Sequence, residues 1–367
     1  MELSIGIVGA GSFAGFAATA FLKVPGIRIV AVTDIDEIAA EKMAGELNAT
    51  VHTDYGSFLA NSSIDLVYIA TPPFLHYRQS KMALEAGKHV ICEKPAALRA
   101  NEAEELSVLA RSLRLLYIVN LMQRYNPMFG LVKKITDEKI LGSFLHGFFE
   151  NYASDEKLSP GHWFWDITRS GGIFIEHGIH FFDLFAGWLG EGKIVNAIQL
   201  KRPGVEEKII DRVQATVLYK DAVVNFYHGF DQPGILDRQE MRLQFEQGDI
   251  TLYGWIPVEM HLYGIFKKEQ LENFCDMVGD ISIIHHNKPS TQKVRGRYTD
   301  IFFTDQVTLK CGTISEKEDR YREMLTAMIQ DQWQWIINPK HQRVIDDCNA
   351  VQSLRMSEEA TVMAQLF

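Results

Sequence analysis

Two groups of residues in this sequence have types and spacings that can do chemistry. The first is Gly9-Ala10-Gly11-Ser12-Phe13-Ala14, a G-x-G-x-x-A loop between the apolar run Leu3 to Val8 and a segment of helical period. Gly9 permits a tight turn, Gly11 lets backbone approach a pyrophosphate with no Cβ in the way, and Ala14 allows close helix–sheet packing. Ser12 and Phe13 open a helix whose unpaired N–H groups suit phosphate oxygens. Asp34 closes the next strand, where a carboxylate accepts the ribose hydroxyls of NAD. NADP is disfavoured, because Asp36 and Glu37 stand beside Asp34 with no adjacent Lys or Arg for a 2′-phosphate. A plain glycine turn and a flavin nucleotide are the other readings of such a loop.

The second group suits proton transfer: Lys94, Glu176, His180 and Asp183. Lys94 directly follows a strand, at the edge where open α/β sheets bind ligands, and Pro95 favours extended backbone there. A lone lysine in that place is ordinarily solvated. Glu176 and His180 share a face if residues 174–189 are helical, with Asp183 one turn beyond to orient the imidazole. The alternative for a histidine in so apolar a helix is a satisfied core residue. His177 beside His180 raises a metal, but no further ligand has suitable spacing, so none is expected.

These residues need a scaffold. From Leu3 to about Asn120, Val- and Ile-rich runs at 3–8, 27–33, 65–71, 88–92 and 115–120 alternate with helical segments at 12–23, 36–47, 74–86 and 98–113. Such alternation predicts a parallel sheet covered on both faces, a Rossmann α/β domain over residues 1–122. After Asn126-Pro127 a helix to about Glu138 and a strand from Ser143 to Tyr152 lead into an irregular Trp-rich stretch. Strands at 192–203, 209–219, 223–230, 240–246 and 249–255, with turns such as Lys220-Asp221, predict a mainly antiparallel sheet in an α+β domain over 123–340. Residues 257–313 give no assignment. Helices near 318–336 and 344–364 close the chain, the last (341–367) expected to pack back on the first domain.

At 367 residues and 47% hydrophobic composition the chain has material for two cores. Its net charge of -10, without a dense basic run, argues against nucleic-acid and membrane partners. Cys92, Cys275, Cys311 and Cys348 form no CxxC pair, as expected of reduced thiols in a cytoplasmic protein, and no apolar run approaches membrane-spanning length. No exported leader is expected from the N-terminal residues.

Further motifs sharpen this. Ala70-Thr71-Pro72-Pro73 with His76 leads through Ala83-Leu84-Glu85-Ala86-Gly87-Lys88-His89-Val90 to Cys92-Glu93-Lys94-Pro95, and Ser170-Gly171-Gly172 to His180 is followed by Asp183. Together with the glycine loop and Gln123-Arg124-Tyr125-Asn126-Pro127, these resemble the glucose-fructose oxidoreductase and inositol dehydrogenase family (Gfo/Idh/MocA) over residues 3–190. The resemblance implies that Lys94 of the E-K-P motif is catalytic, with His180 as relay or second donor and Glu176 holding a substrate hydroxyl. Glu93, Thr71, Pro72 and His76 would lie along the cofactor, although Thr71-Pro72-Pro73 also reads as a simple strand-ending turn and His76 as polarity at a helix N-terminus. Glu176 departs from the family's usual Asp by one methylene, and 257–313 is longer than the family's sheet requires.

The expected function is NAD-dependent hydride transfer at a secondary alcohol or ketone of a sugar, an inositol-like polyol or a related compound. Trp163 and Arg169 offer a stacking wall and an anchor for such a substrate, with buried aromatic core the other reading of Trp163; Arg124 reads equally as cleft lining or interdomain structure, and Asp183 is expected at the substrate site. An NAD-using glycosidase and a non-catalytic cofactor or sugar sensor are the alternatives on this fold. A homodimer or homotetramer is expected by resemblance.

Overall fold

The computed structural model describes residues 2–204, 209–312 and 316–367. The chain runs β1 (Leu3–Val8), α1 (Ser12–Phe21), β2 (Ile27–Thr33), α2 (Glu37–Leu47), β3 (Thr50–His52), α3 (Tyr55–Ala60), β4 (Leu66–Ile69), α4 (Pro73–Glu85), β5 (His89–Cys92), α5 (Ala100–Leu113) and β6 (Tyr117–Val119). These strands form one parallel sheet in the order β3-β2-β1-β4-β5-β6. Strand order reverses between β1 and β4, which opens a crevice at their carboxyl ends, and there the glycine loop lies. β1 and β4 are buried along their whole length, as strands covered on both faces must be. β3 and α3 are additional to the sequence reading, being too short to show a period. Asp54 starts α3 by accepting from the Ser57 N–H at 2.9 Å.

The chain continues through α6 (Pro127–Asp137), β7 (Phe144–Tyr152), α7 (Ile167–Ser170), a π-helical turn (Phe174–Gly178) and α8 (Ile179–Leu189). Next come β8 (Lys193–Lys201), β9 (Ile210–Tyr219), β10 (Ala222–Gly229), β11 (Arg238–Phe245), β12 (Gly248–Tyr253) and β13 (Met260–Phe266). They are followed by α9 (Lys268–Val278), β14 (Ile281–His285), β15 (Gln292–Arg295), β16 (Asp300–Phe303) and β17 (Asp305–Cys311), then α10 (Lys317–Ile337), α11 (Asp347–Met363) and β18 (Gln365–Leu366).

Ten of these strands make a mixed, mostly antiparallel sheet, β14-β17-β13-β12-β11-β7-β10-β9-β8-β18, in which β7–β10 and β8–β18 are the parallel pairs. β9 and β10 alternate between buried and more accessible positions, the period of a sheet with one covered face. The unassigned stretch 257–313 resolves into β13, α9 and β14 to β17. Its strands continue the sheet, but α9 and a separate β15–β16 ribbon interrupt them, so no regular hairpin spacing appears in the sequence.

The division into units is not the linear one expected from the sequence. One compact unit comprises the residues up to Tyr125, Gly161–Asp183 and Tyr321–Val362; the other comprises Asn126–Pro160, Leu184–Arg320 and Met363–Phe367. Long-range packing is the reason. Ile175, Ile179, Ala350 and Leu354 share a buried cluster with the parallel sheet's Val8, Val67 and Val90. Polar ties reinforce this: the Ala100 N–H donates to Glu358 at 2.8 Å and Tyr125 donates to Asp331 at 2.6 Å. Most of α10 therefore belongs with the first unit rather than with a second domain reaching residue 340.

Candidate active site

Gly9 has φ +96°, and a Cβ there would stand 2.6 Å from the Ala70 carbonyl oxygen, so only glycine lets the ends of β1 and β4 come this close. Gly11 differs: a Cβ would meet nothing within 4 Å, which leaves open space above α1's N-terminus. No side chain caps that helix, so its first N–H groups are available to an anion. Ser12 is exposed, Ala14 is buried, and Phe13 lies against the rings of Phe16 and Tyr321, at 6.2 and 5.8 Å between centroids.

Asp34 joins the loop to the second strand. One carboxylate oxygen accepts from the Ala10 N–H at 2.6 Å and the other from the Asp36 N–H at 2.8 Å. A cavity of about 490 Å³ opens here, lined by Gly9, Gly11, Asp34, Ile35, Asp54, Tyr55, Thr71, Pro72, Gln79 and Trp163 among others. Its walls are largely apolar and, among the described residues, carry two carboxylates and no lysine or arginine. A dinucleotide fits these features: a phosphate seat, a ribose-binding carboxylate and apolar walls.

Thr71 donates to the Gln79 side chain at 2.5 Å, while Pro72 starts α4. His76 is fully buried, with Nε2 against the Thr71 carbonyl at 2.6 Å and Nδ1 against the Pro95 carbonyl at 2.7 Å. Expected to touch the cofactor, it instead links the backbone of the Thr71-Pro72 turn to that of Lys94-Pro95. Burial pushes its pKa down. Glu93 is likewise engaged with protein: one carboxyl oxygen accepts from Tyr68 at 2.5 Å and from Asn120 at 2.7 Å, and burial raises its pKa.

Lys94 Nζ donates to the Glu176 backbone carbonyl at 2.7 Å and to the Glu176 carboxylate. Both partners come from the π-helical turn, which follows Gly171 and Gly172 at φ +80° and +91°. Residues 174–189 are thus helical, but in two geometries. In a π-turn the hydrogen-bond ring is one residue wider than in an α-helix, a feature found often at functional sites. His180 opens α8, is 4% exposed, and has its pKa held well below the ordinary histidine value by burial and by the Lys94 charge. It is neutral near pH 7.

Asp183, expected to orient His180, instead accepts from Arg124 with both carboxylate oxygens, each at 2.8 Å. Asp183 is buried and Arg124 partly so, and Arg124 also donates to the Asp183 carbonyl at 2.9 Å. A bidentate guanidinium–carboxylate fork satisfies both groups, so neither stands ready for substrate as the sequence suggested. Arg169 is exposed on α7 with its guanidinium 4.7 Å from the Phe74 ring centroid. Trp163 lines the glycine-loop cavity. His177 rests against the Phe181 ring, 5.6 Å between centroids.

Sequence reading missed Tyr68, Gln79, Asn120, Asp54 and Tyr321. Asp54 had a signal, a capping residue three before Ser57, and Gln79 lies one helical turn after His76 on α4. Tyr68, Asn120 and Tyr321 had none, because only the packing of distant segments brings them to Glu93 and the glycine loop.

A Rossmann unit with this glycine loop, and with a lysine–carboxylate pair and a buried neutral histidine in the same unit, defines a nicotinamide-dependent dehydrogenase or reductase. Comparison with known proteins agrees. Residues 3–121 match the oxidoreductase family model with an NAD-binding Rossmann fold, and residues 129–251 match the Gfo/Idh/MocA C-terminal domain. An uncharacterized oxidoreductase of Schizosaccharomyces pombe is 36% identical over 260 residues, covering 66% of this chain and 70% of the relative. The inositol 2-dehydrogenase of Rhizobium meliloti is 31% identical over 191 residues, 52% of this chain and 56% of that one. This chain's match thus spans little more than half of that enzyme's length. The solved structure of a levoglucosan dehydrogenase in complex with NADH shares the fold, with TM-score 0.78 at 18% identity over 99% of this chain and 97% of that one. The chain belongs to the Gfo/Idh/MocA oxidoreductase family.

Proposed function

We propose that the chain transfers a hydride, reversibly, between NAD and a secondary alcohol or ketone of a sugar, an inositol-like polyol or a related hydroxy compound. The carrying observation is Lys94, held by Glu176 just past the carboxyl end of β5, in the unit that presents the dinucleotide cavity. NAD, when bound, supplies hydride acceptance and donation at its nicotinamide ring. The chain's own residues handle the proton. In ketone reduction the Lys94 ammonium donates to the developing alkoxide oxygen; in oxidation neutral Lys94 accepts the hydroxyl proton, and Glu176 is placed to take that proton onward from Nζ. Neutral His180 is the second proton acceptor. Thr71, Pro72 and Trp163 border the cofactor, and exposed Arg169 is the candidate anchor for substrate.

NAD is preferred over NADP because Asp34 is fixed by two backbone N–H groups, and among the described residues no cation lines the cavity to receive a 2′-phosphate. The four cysteines are free thiols, which supports a cytoplasmic setting, and among the described residues no helix is long and apolar enough to cross a membrane. The partners inferred are the small-molecule substrate and other copies of this chain.

The test is a panel of sugars, inositols and their keto forms with NAD and NADP, following absorbance of the reduced nicotinamide. Turnover with a polyol or keto sugar supports the proposal. Cleavage of a glycosidic bond without net NADH would replace it by a glycosidase, and cofactor binding without turnover on any member would leave a sensor.

A further inference from the structure

The cavity beside the glycine loop has two parts. Gly9, Gly11 and the Asp34 carboxylate line one; Ile35, Thr53, Asp54, Tyr55, Leu75 and Gln79 line the other. In a dinucleotide the adenosine ribose carries the pyrophosphate on one side and the base on the other. A ribose at Asp34 with phosphates at Gly11 therefore leaves the second part for the adenine, an inference that rests on the NAD reading proposed above. Ile35 is fully exposed and Leu75 half-buried, apolar surfaces suited to the faces of a purine.

Gln79 adds polarity of one kind. It follows Leu75 by one helical turn on the same face of α4, and both line the cavity. The Thr71 hydroxyl donates to Gln79 Oε1 at 2.5 Å, which aims the amide, and the Tyr55 hydroxyl donates to the Gln79 backbone carbonyl at 2.7 Å, which ties this turn of α4 to the start of α3. Tyr55 is thereby committed, and the Asp54 carboxylate is engaged in capping α3. With its oxygen taken by Thr71, the Gln79 amide is left to offer its two N–H donors, which have no partner among the described residues.

Purines differ in what they can give such a donor. Adenine N1 is a bare nitrogen that accepts a hydrogen bond; in hypoxanthine and guanine the same nitrogen carries a hydrogen and donates. N1 also lies on the edge of the base away from the sugar, hence away from Asp34. A donor set against N1–H leaves both groups unpaired, and sites built on a hydrogen bond discriminate strongly against an analogue that cannot make it.

We propose that Gln79, aimed by Thr71, donates to adenine N1 and makes this chain select an adenine dinucleotide over an oxopurine one. A Gln79 that served only to hold Thr71 would treat every base alike.

Calorimetric titration of the full chain with NAD and with nicotinamide hypoxanthine dinucleotide tests this, beside thermal melts to check the fold. The wild type is expected to bind NAD at least about tenfold more tightly. Gln79→Leu should weaken NAD by about that factor and leave the hypoxanthine dinucleotide nearly unchanged, so that the preference disappears. Gln79→Glu, which offers an acceptor to N1–H, should turn the ratio towards hypoxanthine. Equal affinities in the wild type overturn the proposal while leaving the NAD reading intact, and so does a Gln79→Leu variant that loses both ligands in equal proportion. A wild type that binds neither dinucleotide overturns the NAD reading and this inference with it. Should Gln79→Leu not fold, the ratio measured for Gln79→Glu decides.

Discussion

Lys94 holds Glu176 twice, its ammonium donating both to the backbone carbonyl and to the side-chain carboxylate of the same residue. The carbonyl belongs to a π-turn, and the carboxylate reaches the amine on a chain one methylene longer than an aspartate. The pair holds the amine hydrogen-bonded beside a carboxylate that can take its proton when it must leave. Lys94→Met should therefore abolish turnover while NAD still binds. Proton transfer of this kind contributes about 10²- to 10⁴-fold, so a variant keeping a third of wild-type kcat would return the principal role to His180. Glu176→Gln should lower kcat more than Glu176→Asp, since the amide cannot take a proton; equal losses would reduce Glu176 to a spacer.

The two loop glycines should respond differently to a single methyl group. Gly9→Ala places a Cβ on the Ala70 carbonyl at positive φ and should cost about 1–3 kcal/mol of stability. Gly11→Ala has ordinary backbone, φ -70°, and open space, so the melting temperature should hold while the Kd for NAD rises. Calorimetric titration beside thermal melts separates the two. A Gly11→Ala variant with unchanged NAD affinity would mean that no pyrophosphate lies against Gly11.

Cofactor choice should turn on Asp34. A 2′-phosphate about 4 Å from this carboxylate meets repulsion on the order of 4 kcal/mol at an effective dielectric near 20, and less where solvent screens it. Even half of that gives more than tenfold preference for NAD. Asp34→Ala should erase the preference and also weaken both cofactors, because the Ala10 N–H loses its acceptor. Comparable kcat/KM for NADP in the wild type would refute the assignment.

Acid should destabilise the protein through a histidine far from β5 in sequence. His228 on β10 is fully buried beside Phe149, and burial lowers its pKa to about 3. The unfolded chain binds this proton near pH 6.5 and the folded chain does not until about pH 3, so stability falls as pH drops through that window. From pH 7 to pH 5 the loss is on the order of 2 kcal/mol from this residue. His228→Phe should flatten the pH dependence of the urea midpoint over that range; an unchanged slope would place the acid sensitivity elsewhere.

Much of the scaffold was legible because its signals are local. The G-x-G-x-x-A loop, Asp34 at the end of β2, and the alternation of Val-rich runs with helical periods depend on neighbours within a few residues, and β1, β2, α4 and α5 stand within two residues of where the sequence puts them. Lys94, Glu176 and His180 could be singled out by motif and spacing for the same reason. What they touch could not. That Asp183 is taken by Arg124, that His76 links two backbone turns, that Glu93 is held by Tyr68 and Asn120, and that most of α10 joins the first unit are decided by long-range packing. A buried polar group must find a partner wherever the fold supplies one, and residues far apart in the chain have no spacing from which that partner could be read.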